Sequence, residues 1–574
     1  MLSTLRLFLV LLLLLQPLLI CGANRTQLLQ LSNCNATQLN ELKDVATLNE
    51  LRLSNCSLYN LKNALFVQYG HLLIMELQHC KLNSLEDYAL NGLARLQSLS
   101  LAHNNLSNVR SWSDQPLAAL SSLDLSFNAL QQLVSRSFEQ YPQLQQLNLS
   151  HNLIEHLQPD CFHNLVHLKH LQLHNNRLQL IEASFFLGLH RLSSLALQHN
   201  QITQVEPAAF ESNTHLRTLR LEHNQLTDLQ FLLERSLGRL VHLSLSSNGL
   251  QELRPEGFVE YFELQHLDLS HNRLKELTNH TLLGLESLEL LNVSHNIVTH
   301  IDAESLQPLS NLQQVDFSHN LLHTLPDKLF HSNSQLKDIN LDNNQLGELH
   351  ASLLKQLIHL DSLNVARNRL KDANWLQQLA PALNRLNLSV DLSSNRLQSL
   401  NLSSLLFFRH VNLADNYWNC SWLARNMMRT PPASLNFARN WPMLSAWSDM
   451  TVFNVRGVDC FDGQQNRSIV LLDVGVVRQQ TTPISTCDCE QTTDELGPLT
   501  PPLSWPRIRT DRFDSRSVII WMLVAIAIAF AGLRWAQRFM DRKAGGKKLR
   551  EMKNMSIQKV EVETQRLRND RERS

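Results

Sequence analysis

Between Leu48 and Leu370 the apolar positions follow one pattern, which recurs fourteen times at a period of twenty-four residues without a slip. The pattern is L-x-x-L-x-L-x-x-N-x-L; one copy is Leu144, Leu147, Leu149, Asn152, Ile154, and another is Leu264, Leu267, Leu269, Asn272, Leu274. Its L-x-L centre has period two, so it predicts a short strand with both leucines on one face. Each copy presents the same strand in the same direction. Stacking the copies predicts a parallel sheet with strands about 4.8 Å apart. Thirteen residues after its first leucine each of the first thirteen repeats carries another apolar residue, from Leu61, Leu85 and Val109 through to Leu349. Eighteen after it, half of the repeats carry a phenylalanine: Phe66, Phe138, Phe162, Phe186, Phe210, Phe258 and Phe330. No single repeat can close a core, but stacked repeats share a continuous leucine interior backed by a phenylalanine row.

The polar slot that closes the pattern holds Cys56 and Cys80, then Asn104, Asn128, Asn152, Asn176, Asn200, Asn224, Asn248, Asn272, Asn296, Asn320, Asn344 and Asn368. Where the chain turns out of its strand, backbone N–H and C=O groups are buried without strand partners, at a cost of about 1–3 kcal/mol each. A carboxamide carries donors and an acceptor, so one per repeat is expected to pair with the turns above and below. The pattern resembles the typical, extracellular class of leucine-rich repeat protein over about two thirds of the chain. That resemblance implies an α/β solenoid, a curved horseshoe with its parallel sheet on the concave face.

Charge divides the chain. Residues 534–574 carry thirteen Lys and Arg against six Asp and Glu. With Arg6 the one charge of residues 1–23 and a net charge of −1 overall, the body between them stands at −9. An acidic body with a basic tail points to two compartments and away from a nucleic-acid partner. Residues 1–23 read as a signal peptide: Arg6, the apolar run Leu7–Leu15, then Cys21, Gly22 and Ala23 at a small-residue cleavage site. Residues 24–47 are expected to form an N-terminal cap. Residues 491–517, with Pro498, Pro501, Pro502 and Pro506, read as an extended stalk. Residues 518–537 reach the length a bilayer needs, about 20 residues. Arg534, Arg538, Arg542 and Lys543 flank this stretch, which sets the C-terminal side in the cytoplasm. Residues 538–574 are then a short basic tail. The chain is therefore expected at the plasma membrane as a single-pass type I protein with its N-terminus outside. Ala525 and Ala529, like Ala527 and Ala531, lie four apart, which admits a close helix pair and so a homodimer; alanine is equally a common filler there.

After Asn368 the period loosens, with Asn395 twenty-seven residues on and Asn416 twenty-one beyond that. Both keep strand-like flanks, so the repeats are expected over 48–418, about sixteen of them. Asp114, Glu234 and Gln378 stand where phenylalanine is expected and mark changed outer loops. Cys34, Cys56 and Cys80 share the polar slot of consecutive rungs. Two readings stay open for them: buried thiols in place of asparagine, or a Cys34–Cys56 bridge. Residues 419–490 resemble a leucine-rich-repeat C-terminal cap. Asn416 to Leu423 looks like its opening and Asn454 to Cys460 like its next cysteine segment, as in insect members. The resemblance implies a Cys420–Cys460 bridge and leaves Cys487 and Cys489 to close the cap or to link a second chain. Trp422 stands where many such caps have a second cysteine.

No catalytic constellation is present: no H-E-x-x-H, no G-x-S-x-G and no phosphate loop. No enzyme activity, metal or cofactor is expected. The residue before the polar slot is histidine at His79, His103, His151, His199, His223, His271, His295 and His319. Such a column could bind metal or respond to pH, or it could simply supply a polar residue at the exposed strand end, where histidine is a frequent family choice. Extracellular glycosylation sequons begin at Asn24, Asn35, Asn55, Asn105, Asn148, Asn279, Asn292, Asn387, Asn401, Asn419 and Asn466. Asn148 and Asn292 sit between strand leucines, so both point onto the concave face. Glycans there would confine a partner to repeats six to ten, where His170, Gln172, His174, Gln198, Arg220, Glu222, His242, His266 and Asp268 are on offer. The long array with no room for a large signalling domain resembles insect adhesion proteins of the chaoptin, connectin and capricious kind. It implies a protein-binding receptor for adhesion or cell–cell recognition, with homophilic contact included. The alternative is a receptor or co-receptor for a soluble ligand, innate-immune ligands among them, that signals through a partner chain.

Overall fold

The computed structural model describes residues 28–35, 45–63, 65–109, 112–233, 235–383, 388–427, 435–437, 452–455 and 458–461. The twenty-four-residue repeats build one parallel sheet of 18 strands. Its strands pair in the order of the sequence, each repeat with the next. Leu147 pairs with Leu171, Leu171 with Leu195, and Leu195 with Leu219. These leucines are fully buried while the residues flanking them face outward. An 18-strand count exceeds the sixteen repeats because both ends add a rung. Leu28–Ser32 pairs residue for residue with Glu50–Ser54 ahead of the first repeat. Leu435–Asn436 pairs with the strand of the sixteenth.

The asparagines close the turns as their chemistry requires, but in one direction only. Asn200 donates from Nδ2 to the carbonyls of Leu173 in the preceding repeat (3.0 Å) and of Leu197 in its own (2.9 Å). Its Oδ1 accepts from the N–H of Leu178, again in the preceding repeat. The same set recurs at Asn224 and Asn272, and Asn395 and Asn416 carry it past the break in period. The expectation of pairing above and below is therefore corrected: each carboxamide serves its own turn and the repeat before it. The reason is that both amide hydrogens and the oxygen are already engaged by these bonds.

Behind the leucines the phenylalanines stack, with ring centres 6.0 Å apart from Phe138 to Phe162, 6.3 Å to Phe186 and 5.9 Å to Phe210. On the sheet side, stacked rings in neighbouring repeats lie closer, 4.1 Å from His271 to His295 and 4.0 Å from His295 to His319. A stack wider at its back than at its front curves with the sheet inside. Where the slot is not phenylalanine, a buried leucine fills it at Leu90, Leu282, Leu306 and Leu354, and where it is polar an aromatic residue just upstream supplies the volume. Trp112 stands in beside exposed Asp114, and Trp375 beside exposed Gln378 on the helix Trp375–Leu383. Phe231 does so ahead of position 234, packing edge-on to Phe210 at 5.8 Å.

Cys34 is joined to Cys56, tying the added first rung to repeat one, while Cys80 and Cys161 are buried free thiols. Cys420 is joined to Cys460. That bond links the helix Cys420–Met427 to an antiparallel hairpin, Val452–Val455 with Val458–Phe461. Stacked Trp418 and Trp422 cover the last repeat, and Trp422 donates to the Leu400 carbonyl. The expected signal peptide, stalk, membrane segment and tail, together with Asn24, Asn387, Asn466, Cys487 and Cys489, lie outside the described residues. Among the described residues no helix is long and apolar enough to cross a membrane.

Candidate ligand-binding face

Alternation along each strand leaves three columns of side chains on the exposed face of the sheet. The middle column follows the central leucine of each repeat. In most repeats it is Asp or Asn: Asp124, Asn148, Asp268, Asn292, Asp316, Asn340, Asn364, Asp391 and Asn412. Each side chain folds back on its own strand end, Oδ1 accepting from the N–H two residues on, as from Ser126 to Asp124 (2.9 Å) and from Ser270 to Asp268 (3.0 Å). This Asx arrangement caps the strand where the chain begins to turn. Sequence reasoning missed it, although the signal was present as Asp or Asn at a fixed offset from the leucines.

Repeats one to three carry Arg52, Glu76 and Ser100 there, and from Asp124 onward the column breaks over four consecutive repeats, at Gln172, Ala196, Arg220 and Ser244. Over the same stretch the third column, mostly serine elsewhere, turns to His174, Gln198 and Glu222. The result is an open depression of about 520 Å³ bounded by Asp124, Asn148, His170, Gln172, His174, Gln198 and Arg220. Its floor is Ala196, which lies in register between Gln172 and Arg220. A methyl group between two long neighbours makes the hollow.

Arg220 donates from Nε to Glu222 Oε1 at 2.8 Å. Glu222 Oε2 and Gln198 Oε1 are buried and have no hydrogen-bond partner. Three imidazoles crowd the same corner. Burial holds the pKa of His174 below the ordinary histidine value, helped by the charges of His151, Arg220 and His199 and opposed by Glu222. His151 and His199 are lowered for the same leading reason. The depression thus favours neutral imidazoles at physiological pH.

Of the nine residues expected to form a partner patch, His170, Gln172, His174, Gln198 and Arg220 line this depression, and Glu222 is paired beside it. His242 and His266 lie in the next repeats, their rings 4.5 Å apart, and Asp268 belongs to the resumed Asx column. Asn148 and Asn292 do face outward on this sheet, both half-buried. Asn148 is on the wall of the depression and not beyond its edge. Its Oδ1 accepts from the N–H and the hydroxyl of Ser150, leaving Nδ2 as the exit for a glycan. Asn35, Asn55, Asn105 and Asn401 are exposed, and Asn279 and Asn419 half-buried.

The histidine column has a backbone cause that sequence reasoning did not reach. His103, His151, His199, His223, His271, His295 and His319 all sit at φ between 54° and 57°. So do their counterparts Phe127, Asn175, Ser247 and Asn343, at 51° to 54°. This is the left-handed region, in which Asn, Asp and His are enriched among residues other than glycine. Here the turn itself demands it: the N–H of His199 bonds the Glu222 carbonyl of the next repeat (3.0 Å), and that of His271 the Ser294 carbonyl. Among the described residues no cluster of His, Cys, Asp or Glu is arranged to hold a metal ion.

A stack of parallel strands, closed from Asn104 onward by an asparagine ladder, defines a leucine-rich repeat solenoid. The leucine rich repeat family pattern matches residues 46–106, 118–178, 166–226, 238–298 and 290–346, and these residues carry leucine-rich repeats. Its fold is similar to that of Toll in the Toll–Spatzle complex of Drosophila, at 23% identity and a TM-score of 0.62, covering 71% of this chain and 57% of that one. It is also similar to TLR13 in its complex with ssRNA13, at 23% identity and TM-score 0.51, covering 72% and 54%. A leucine-rich repeat protein of Leptospira interrogans is matched over its whole length, at 25% identity and TM-score 0.59, by 71% of this chain. The chain therefore spans little more than half the length of the first two. No curated protein matches the sequence.

Proposed function

We propose that this chain is a cell-surface receptor that binds a protein partner on the exposed face of its sheet, in adhesion or cell–cell recognition. The reading takes residues 1–23 as a signal peptide and 518–537 as a membrane anchor, with the solenoid outside the cell and residues 538–574 inside. It assigns no catalytic activity. The observation that carries it is the four-repeat break in an Asx column that is otherwise regular from Asp124 onward. A face kept uniform by local capping over those repeats and varied over one stretch of them is suited to selective contact, and loop-free sheet surfaces hold such contacts rigidly. Acidic Asp268, Asp316 and Asp391 on the same face disfavour a phosphate backbone.

The test is an aggregation assay of expressing cells mixed with labelled non-expressing cells. Clusters of expressing cells alone are the expected result for homophilic adhesion. A second reading, a receptor for a soluble ligand, draws on the likeness to Toll, whose structure was solved in complex with Spatzle. Under that reading the same cells stay dispersed and instead retain a secreted factor. Charge reversal at Arg220 and Asp268 together is expected to weaken either kind of binding; full binding by that double variant removes the sheet face from the reading.

A further inference from the structure

The four repeats that break the Asx column differ from the others at the opposite end of their strands as well. The first leucine of each, Leu168, Leu192, Leu216 and Leu240, is fully buried, and the residues on either side of it are exposed or half-buried. On every one of these rungs one of the two flanking residues is a cation: Lys169, Arg191, Arg217 and Arg239, alternately after and before the leucine. All four are exposed, and among the described residues none enters an ion pair. The other flanking places hold His167, Ser193, His215 and Val241, so no carboxylate interrupts the run. It ends on both sides, at Gln143 and Gln145 before and at Glu263 and Gln265 after. Backbone bonds set the rungs one on the next. The Ser193 N–H donates to the Lys169 carbonyl (2.9 Å), that of Arg217 to Ser193 (2.9 Å) and that of Val241 to Arg217 (2.8 Å). Four rungs about 4.8 Å apart place the cations along a line of about 14 Å.

Like charges on neighbouring rungs repel, and the stack does not require them, since Ala119, Ser121, Gln313 and Gln335 fill the same places in other repeats. A linear polyanion along the flank neutralises the row. An acidic polypeptide would dock its main chain on a sheet edge, but the N–H groups here are spent between rungs. A single-stranded nucleic acid stacks its bases on aromatic rings, and none of the flanking places holds Phe, Tyr or Trp. A sulfated polysaccharide needs only cations for its anionic groups and donors for its hydroxyls. His167 offers such a donor: Arg191 Nη1 donates to its Nδ1 at 2.9 Å, which leaves the imidazole hydrogen on Nε2. We infer that the N-terminal ends of the strands in repeats six to nine form a docking strip for a linear sulfated polysaccharide, with Lys169, Arg191, Arg217 and Arg239 each taking an anionic group. The strip adjoins the hollow, because Lys169 directly precedes His170 on its wall. It rests on the reading that puts the solenoid outside the cell and adds a second kind of partner to it.

Residue-resolved footprinting of the purified full-length chain tests it, with heparin as the probe. Mass spectrometry reads acetylation of lysine and phenylglyoxal modification of arginine, so the strip is scored separately from the basic tail. Heparin should protect all four cations, while Arg95 and Lys337, exposed on the same flank outside the strip, label as before. Poly-glutamate and oligothymidylate at equal charge concentration should protect none of the four. Arg191→Ser with Arg217→Ser should lose the protection of Lys169 and Arg239; Arg95→Ser with Lys337→Ser, the same change in net charge, should keep it. Thermal melting checks that both double variants fold. Full labelling of the four in heparin, equal protection of Arg95 and Lys337, equal protection by either comparison polyanion, or unchanged protection in the strip variant overturns the strip. A protected strip on a chain whose cells do not aggregate leaves the strip and removes the adhesion reading. Aggregation with an unprotected strip does the reverse.

Discussion

Asn200 illustrates how much one side chain holds. Replacing it with alanine leaves the Leu178 N–H without its partner, while the Leu173 and Leu197 carbonyls keep the bonds they accept from Asn176 and Asn224. One orphaned buried donor costs about 1–3 kcal/mol, so Asn200→Ala should shift the urea unfolding midpoint downward with little change in slope. Glycine gives a sharper contrast. Gly188 and Gly284 occupy the same place in their repeats with φ of +80° and +92°. A β-carbon at Gly188 meets nothing within 4 Å, whereas at Gly284 it would come within 2.3 Å of the Phe258 carbonyl oxygen. Gly188→Ala should cost about 1–2 kcal/mol from backbone strain alone; Gly284→Ala should cost more, because the backbone behind it must also move. Comparing melting temperatures of the two variants checks this. The imidazoles set a pH dependence whose sign is fixed. His103, His151, His174, His199, His242 and His295 are all held below the ordinary value by burial, and neighbouring imidazoles lower them further. The unfolded chain then binds more protons than the folded one, so their stabilisation is complete above about pH 6.5 and lost as pH falls through their lowered values. Melting temperature should drop between pH 7.5 and 5, and glutamine at His103, His151 and His295 together should flatten that slope.

At the scale of the repeat, the twenty-four-residue spacing was enough to read strand, sheet direction, leucine core, phenylalanine back and asparagine ladder, because each rests on a residue type recurring at a fixed offset. Features that depend on how repeats meet were less legible. The left-handed conformation at His199 and its counterparts is imposed by a bond to the next repeat, and histidine, serine, phenylalanine and arginine all accept it, so no single residue type advertises it. The one-way ladder depends on the tilt of a carboxamide, which spacing does not record. Trp112 and Trp375 fill the phenylalanine volume from a shifted position, so a fixed offset does not find them. Terminal rungs depend on bonds of another kind. Cys34–Cys56 ties the strand Leu28–Ser32 to the first repeat. Cys34→Ser should raise amide exchange across Leu28–Ser32 and Glu50–Ser54 and leave repeats three onward unchanged, as expected when each repeat contacts only its neighbours. The Cys80 thiol, whose pKa burial pushes up, should stay unreactive to alkylating reagents until those rungs open.

For the whole molecule, the sequence singled out a candidate stretch through two sequons, and five of the nine residues it named line one hollow. The hollow itself was hidden. It exists because Ala196 is short between Gln172 and Arg220. Such a depth cannot be read from a pattern of offsets. The placement of Asn148 on the wall of the hollow adds a consequence for occupancy: a glycan there narrows access from the side of repeat five. Asn148→Gln should therefore strengthen partner binding to cells if that site is glycosylated, and the gain should disappear in wild-type protein treated with a glycosidase.

The ladder's single direction also gives the stack a mechanical polarity. From Asn104 onward every repeat is tied to the one before it through its own asparagine, so tension applied at the C-terminal end loads these ties one after another, last repeat first. A chain held in that way yields in steps, not in one event. Each step frees twenty-four residues, about 80 Å of extended chain. Pulled between two surfaces, the molecule would lengthen like a ratchet paying out cable while the remaining repeats, and the hollow at their centre, kept their shape.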